Sequence, residues 1–490
     1  MISHRAIQRD VVTEPKPFFD ALRARLAAGE RLLTFYASPA PDPASLALTA
    51  IFGGASDALL RTEIARRGGF HALTREHPQA HVFEREIHER WGLEPRDHPW
   101  LKPVRHPRGG RAIADYPFFR IEGKEVHEVG VGPIHAGVIE PGHFRFMCLG
   151  ERVHHLEIQL GYQHRDVEAL LLARPTRALG PLVETVAGDT SVGHAWAYAH
   201  ALEVLLGREI SPQTALGRGI GLELERVAMH LATLSGLCAD IGMLQGAATY
   251  GRLRTTAINA TMLVCGSRFG RGWVRPGKAR ARLDAEVTAT LRQSLELLRT
   301  DIAIVNDLFL NSRTVAHRFK GVGALSAAVT RELGFVGLVA RSSGIAVDAR
   351  HEPGALAPYG AAAPAMALEV GGDCFARARL RIHEIDRSLQ WLGESLERLD
   401  ALPEERTAPD GRGAEGLPPG AVAVSVVEGF RGEIVHVLET DADGSLAHYR
   451  IQDPSLRNWL ALALAVREND ISDFPICDKS FDLSYCGNDL

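Results

Sequence analysis

Cysteine is scarce in this chain, and what there is does not pair. Six cysteines stand at 148, 238, 265, 374, 477 and 486 of 490 residues, and no two have Cys-x-x-Cys spacing. That excludes a cysteine-rich iron–sulfur motif of the chain's own. With no secretory signal in view, it also argues against a disulfide framework. The thiols are expected as small core residues. Long apolar runs are missing too. The nearest, Val227 to Tyr250, is interrupted by His230 and Asp240, so a buried helix is predicted there rather than a membrane span. The start, Met1-Ile-Ser-His-Arg-Ala-Ile-Gln-Arg-Asp10, has no apolar h-region. A net charge of -5 gives no ground for nucleic-acid binding, and short basic runs such as Arg105 to Arg111 read as solvated surface. No glycine-rich dinucleotide fingerprint follows a convincing strand.

What is present is an ordinary globular composition, 46% hydrophobic and 23% charged, on a chain long enough for more than one domain. Phe18 to Ala28 has helical spacing, and Arg31 to Ala37 is rich in strand formers. The Pro/Gly/Arg-rich stretch Pro103 to Gly110 predicts a boundary, with a first domain at 1–115 and a second at 120–490. From about residue 150 the pattern turns helical. Ile220, Leu224, Val227, Leu231 and Leu234 form one apolar stripe, with Glu223, Arg226 and His230 on another face. Long helices are predicted over Ser191–Leu206, Leu283–Leu310 and Cys374–Leu402. A linker from Pro403 to Gly420 precedes three strands, 421–427, 434–440 and 445–451. The fold class predicted is α+β.

Four stretches combine residue types suited to chemistry. Glu128 to Phe146 is a turn-rich loop whose Gly and Pro residues let the backbone approach a ligand, with His135, Glu140 and His143 as its polar lining. A carboxylate beside imidazoles suits proton relay; local hydrogen bonding within the loop is the plainer alternative. In Ala187-Gly-Asp-Thr190-Ser-Val-Gly-His194, Thr190 and Ser191 offer hydroxyls to an organic headgroup, or Asp189 to Ser191 cap the following helix. Arg341, Asp348 and Arg350 form either a charge network near a cofactor or a buried ion-pair network holding helices. For the fourth stretch, Glu84-Arg-Glu86 through His98-Pro99, a charged exposed helix followed by a turn is the plainer alternative.

These stretches carry a family resemblance. The Leu160-Gly-Tyr-Gln-His-Arg165 motif, the run Arg341-Ser-Ser-Gly-Ile-Ala-Val-Asp-Ala-Arg350, and the closing Gln452-Asp-Pro-Ser455 and Asp473 to Leu490 resemble the large subunit of group 4 [NiFe]-hydrogenases, of hydrogenase-4 and formate-hydrogenlyase type, and its complex I counterpart, the 49-kDa subunit. The Glu84 to Pro99 block resembles the complex I 30-kDa subunit. The resemblance implies an α+β docking domain fused to a mainly helical large-subunit domain with a small β portion. In the hydrogenases two Cys-x-x-Cys pairs hold nickel and iron. Here those positions read Ala187, Thr190, Ser484 and Gly487. Methyl and hydroxyl groups cannot replace thiolates, so no Ni-Fe centre is expected. No maturation tail is expected after Asp489-Leu490.

The resemblance further implies a small iron–sulfur partner subunit, antiporter-like membrane subunits, and a peripheral place on the cytoplasmic side of the membrane. A quinone-type acceptor would sit in a pocket touched by His135, Thr190 and His194, with Glu140, His143, Arg341 and Asp348 as pocket and proton-relay groups. NADH, if the assembly uses it, would bind a different subunit. Two further functions are weighed: a non-catalytic scaffold coupling partner subunits, and an active hydrogenase, which would need thiolates the chain lacks.

Overall fold

The computed structural model describes residues 7–8, 13–54, 58–107, 112–123, 125–135, 139–279, 283–403 and 416–490. Parts of two predicted features, the boundary at Pro103 to Gly110 and the linker at Pro403 to Gly420, lie outside the described residues, as do Arg108–Arg111 of the basic run.

The chain opens with β1 (Ile7–Gln8) and α1 (Pro15–Ala27), then an antiparallel sheet of β2 (Arg31–Pro39), β3 (Ser45–Gly53) and β4 (Ala58–Ala65). After it comes α2 (His81–Trp91), closed by Gly92 in the left-handed conformation at φ 70°. A second antiparallel sheet holds β5 (Val126–Val131), β6 (His143–Leu149) and β7 (Arg152–Gln159). The helical body follows: α3 (Ser191–Leu205), α4 (Pro212–Asp240), α5 (Leu244–Cys265), α6 (Ala285–Leu310), α7 (Gly337–Ser342) and α8 (Cys374–Asp400). A third sheet, β8 (Ala421–Glu428), β9 (Glu433–Thr440) and β10 (Leu446–Gln452), takes β1 as its fourth strand through pairing with β8. Helix α9 (Ser455–Ala465) and the short α10 (Tyr485–Asp489) close the chain. Helices and sheets are both substantial, so the fold is α+β, as predicted.

Strand β2 is buried on both faces, which its nearly continuous apolar run requires. On one side Phe18 and Leu22 of α1 and Phe83 and Ile87 of α2 pack against Leu32 and Phe35. On the other, Leu33, Tyr36 and Ile51 meet Val422, Val424, Val435 and Val437 of the third sheet. The segment before residue 115 thus shares a core with the C-terminal strands.

Two predictions are corrected. Val227 to Tyr250 is not one helix: α4 ends at Asp240, Gly242 turns the chain at φ 71°, and α5 begins at Leu244. Nor does α4 present a single buried stripe, since every residue from Thr214 to Leu231 is buried. Its polar residues are buried because they pair with other elements. Among the described residues no helix is long and apolar enough to cross a membrane.

The stretch Glu84-Arg85-Glu86 is also buried, not exposed. Glu84 accepts from the Leu73 and Thr74 amides at 2.7 and 3.2 Å. Glu86 takes Arg450 of β10, with Nη1 at 2.5 Å, and also pairs with Arg105. Arg105 is therefore buried, contrary to the surface reading of its basic run, and donates to the Asn488 carbonyl at 2.7 Å.

Candidate functional site

The fold brings together the two segments that lack a Cys-x-x-Cys pair. Residues 187–190 lead into α3, and residues 482–490 end in α10. Arg165 bridges them, donating to the carbonyls of Thr185, Val186 and Cys486 at 2.7, 3.0 and 3.1 Å. Arg431, in the turn between β8 and β9, is the second bridge. It donates to both carboxylate oxygens of Asp189 at 2.8 and 2.7 Å, to Thr190 Oγ1 at 3.2 Å, and through Nε to the Asp482 carbonyl. Burial works against its charge, but the Asp189 carboxylate holds its pKa above the ordinary arginine value.

His194 is wholly buried. Its Nε2 lies 3.2 Å from Asp453 Oδ2 and its Nδ1 3.0 Å from His436 Nε2; His436 Nδ1 lies 2.8 Å from the Tyr449 hydroxyl. Asp453 also accepts from the Ser455 amide at 2.8 Å. Burial would raise Asp453, yet His194 and Arg431 hold it below the usual carboxylate range. Thr190 donates to Asp189 at 3.0 Å, so its hydroxyl is already engaged. Ala187 is fully buried, and Ser484 accepts from the Gly487 amide at 2.9 Å as the cap of α10. Burial and the nearby Glu140 push the Cys486 thiol up to about 11.

The expectation that Asp189 to Ser191 cap α3 is corrected. Thr190 makes no capping bond, and Ser191 Oγ turns back to the Glu184 carbonyl at 3.1 Å. The cap comes from α4: Glu225 accepts from the amides of Val192 and Gly193 at 2.7 and 3.2 Å. Burial raises its pKa to about 8 despite those bonds.

In the glycine-rich loop, His135 Nε2 is 2.9 Å from the Gly142 carbonyl and His143 Nδ1 is 3.3 Å from that of Gly132. Both imidazoles are thus tied to the loop itself. Glu140 reaches the terminal segment, accepting from the Cys486 amide at 3.4 Å. Ala136, Gly137 and Val138 lie outside the described residues.

Arg341 and Asp348 lie 3.6 Å apart in a buried ion-pair network. Arg341 also meets Glu384 at 2.8 Å and Glu428 at 2.7 Å. Asp348 is gripped by Arg350 at 3.0 and 2.7 Å, and Arg350 reaches Glu223 at 3.2 Å. Glu223 takes Arg226, the Tyr359 hydroxyl and Ser388, and His230 bonds Glu384 at 2.8 Å. These are the polar residues of α4. Arg341 and Asp348 thus lie within a buried ion-pair network that reaches α4 and α8. Burial, with the Asp348 charge adding to it, lifts Glu428 to about 7.

One hairpin joins this network to the bridged segments. Glu428 at its start enters the network, and Arg431 at its tip holds Asp189. The hairpin fits because Gly337, at φ 61°, has no side chain: a β-carbon there would stand 2.1 Å from the Arg431 carbonyl oxygen.

Residues 240–489, about half of the chain, match the sequence profile of the respiratory-chain NADH dehydrogenase 49-kDa subunit. The chain belongs to this family. This 49-kDa-family chain is 27% identical over 456 residues to formate hydrogenlyase subunit 5 of Escherichia coli (strain K12), an alignment covering 88% of it and 79% of that protein. It is 29% identical over 386 residues to NADH-quinone oxidoreductase subunit 4 of Thermus thermophilus, covering 73% of this chain and 92% of that protein. Its fold matches a chain in the structure of the membrane-bound sulfane sulfur reductase, an archaeal respiratory membrane complex, with TM-score 0.70 at 21% identity, over 76% of this chain and 100% of that one. Relatives of both hydrogenase and complex I type fit a group 4 hydrogenase-like large subunit, as the sequence resemblance implied.

The 49-kDa-family chain does not fit a nickel–iron centre. No thiol stands at 187, 190, 484 or 487. A β-carbon at Gly487 would lie 2.6 Å from Asp453 Cγ, so even the space for a ligand side chain is taken. A guanidinium, Arg431, stands between the two segments. Sequence reasoning missed Arg431, Asp453 and Glu225 as parts of this arrangement. Asp453 belongs to the Gln452-Asp-Pro-Ser455 motif, so its signal was present; Arg431 and Glu225 are brought in from distant elements.

Proposed function

We propose that this chain is the large subunit of a membrane-associated respiratory oxidoreductase. It takes part in electron transfer from an iron–sulfur cluster on a small partner subunit toward a quinone-type acceptor. In this reading residues 1–115 act as a docking piece of the 30-kDa type, antiporter-like subunits form the membrane arm, and the chain sits peripherally on the cytoplasmic side. The observation that carries the reading is the closed arrangement around Arg431 and Asp453. The segments of a metal-binding large subunit are held together by an ion pair and a carboxylate, where thiolates would be needed for hydrogen chemistry. Glu140, beside the terminal segment, is the group we assign to proton delivery, with His143 at the start of β6 as its relay partner.

The test is quinone-dependent turnover of the purified complex together with its nickel content. Turnover without stoichiometric nickel is expected, falling at least ten-fold in Glu140→Gln. Unchanged turnover in that variant removes Glu140 from the relay, and hydrogen cleavage with one nickel per complex overturns the reading.

A scaffold role has one observation of its own. Thr190 and His194, the groups assigned to acceptor contact, are already bonded to Arg431, Asp453 and His436. A complex that assembles with this chain but shows no acceptor reduction would favour the scaffold.

A further inference from the structure

The buried Glu84-Arg85-Glu86 stretch borders a cavity that none of the foregoing uses. It measures about 440 Å³ and lies between α2, β7 and α9. That size is within the ~300–1,000 Å³ of pockets that hold small molecules. Leu156, Ile158, Leu456 and Leu460 give it an aliphatic wall, with Trp100 and Trp459 as aromatic faces. Among the described residues, none of 130–135, 139–143, 187–194 or 484–487 lines it.

Two guanidinium groups reach this wall, and neither has a carboxylate partner among the described residues. Arg85 is buried. It donates to the carbonyls of Lys102 and Pro103 at 2.8 and 2.9 Å and lies over the Trp100 ring at 4.3 Å. All three partners are neutral, and a buried charge without a counter-ion is costly. His81, stacked on Trp100 at 5.8 Å, keeps a buried Nδ1 with no partner. Burial, aided by Arg85, holds its pKa well below the ordinary histidine value, so the ring is neutral. Arg467, exposed and bonded to His155 Nδ1 at 3.1 Å, marks the outer end. The carboxylate in the wall, Glu157, is already paired with Lys102. The cavity thus combines an apolar body with a buried guanidinium that no carboxylate among the described residues pairs directly, Glu89 and Glu157 acting on it only from a distance.

We propose that this cavity is a binding site for an amphipathic carboxylate. Its head meets Arg85, and its alkyl body lies along Ile158, Leu456 and Leu460. An anion there supplies the charge-assisted hydrogen bonds that Arg85 lacks, while the chain is removed from water against the leucines.

Isothermal titration of the full chain, or of the complex that holds it, with decanoate below its micellar concentration tests this. One saturable site is expected, with decanol binding at least about ten-fold more weakly for want of the charge. Arg85→Gln should bring decanoate down to the level of decanol. Ala463→Trp, which fills the wall and leaves Arg85 intact, should abolish binding while the circular dichroism spectrum is unchanged. Should either variant fail to fold, the comparison of decanoate with decanol on the unaltered protein still decides. Equal binding of the two compounds, absence of saturable decanoate binding, or binding that survives Ala463→Trp overturns the proposal.

Discussion

The carboxylate of Asp453 stands where a side chain on Gly487 would have to begin, 2.6 Å from the β-carbon position. It is fixed there by the Ser455 amide and by His194. Restoring cysteine at 487 therefore does not restore a ligand. Gly487→Cys is expected to lower stability by about 1–3 kcal/mol through overpacking, read as a lower urea midpoint. Adding Ala187→Cys, Thr190→Cys and Ser484→Cys should still leave the purified chain without nickel. Retention of one nickel per chain would mean that Asp453 can be displaced.

Glu225 should make stability fall as pH rises. Its pKa is about 8 in the folded chain because burial favours the protonated form, against an ordinary value of 4.5. The folded state therefore holds the proton more tightly than the unfolded state between those two values. The stabilisation is complete below pH 4.5 and is lost as pH rises through about 8. Glu225→Gln keeps one acceptor for the α3 amides and cannot ionise. Its melting temperature relative to the unaltered protein should improve steadily from pH 5 to pH 8; a constant difference would refute the assignment. Glu225→Ala, which removes the cap, should cost about 1–2 kcal/mol.

Besides Asp348, Arg341 neutralises two carboxylates at once, Glu384 and Glu428. Arg341→Met leaves both buried without it, at a cost of about 3–5 kcal/mol. Arg341→Lys should recover only part of this, because an ammonium lacks the planar fork that spans both partners. Thermal unfolding of the two variants gives the comparison. Equal stability of all three proteins would show that Arg226, Arg350 and His230 suffice.

Glu86 ties α2 to β10 through Arg450. Glu86→Gln is expected to weaken the hold of the N-terminal segment on the third sheet by about 3 kcal/mol. Limited proteolysis should then cut faster between residues 92 and 115 while α4 stays protected. Uniform acceleration at all sites would show that the two parts unfold as one.

Elements whose local composition favours one state were legible in the sequence: α1, α3, α6, α8 and the three C-terminal strands all appeared close to where they form. Helix α4 was legible as a helix but not in its burial. Hydropathy counts Glu223, Arg226 and His230 as a wet face, and only their partners on α8, in the segment after α7 and in the β8–β9 hairpin make that face dry. The same limit hid the α3 cap. A side chain 32 residues away in sequence does the work that Asp189 to Ser191 were expected to do. The replaced cysteines were visible as substitutions. What fills their place was not, because Arg431 and Asp453 arrive from separate elements and no local spacing records that. Arg85 read as part of a charged helix for a similar reason: its partners, the carbonyls of Lys102 and Pro103, lie beyond the helix.

Gly337 and Gly432 bring two stretches of backbone into direct contact, with no side chain between them at that point. A metal cluster would have bolted α3 to the chain terminus. Here that fastening falls to the Arg431 hairpin, which in turn is seated on bare main chain. Positions 187, 190 and 484, all buried, are accordingly released from ligand chemistry and held only to what their surroundings will pack. Residue 337 has no such freedom, and the smallest methyl there would unseat Arg431 and Glu428 together.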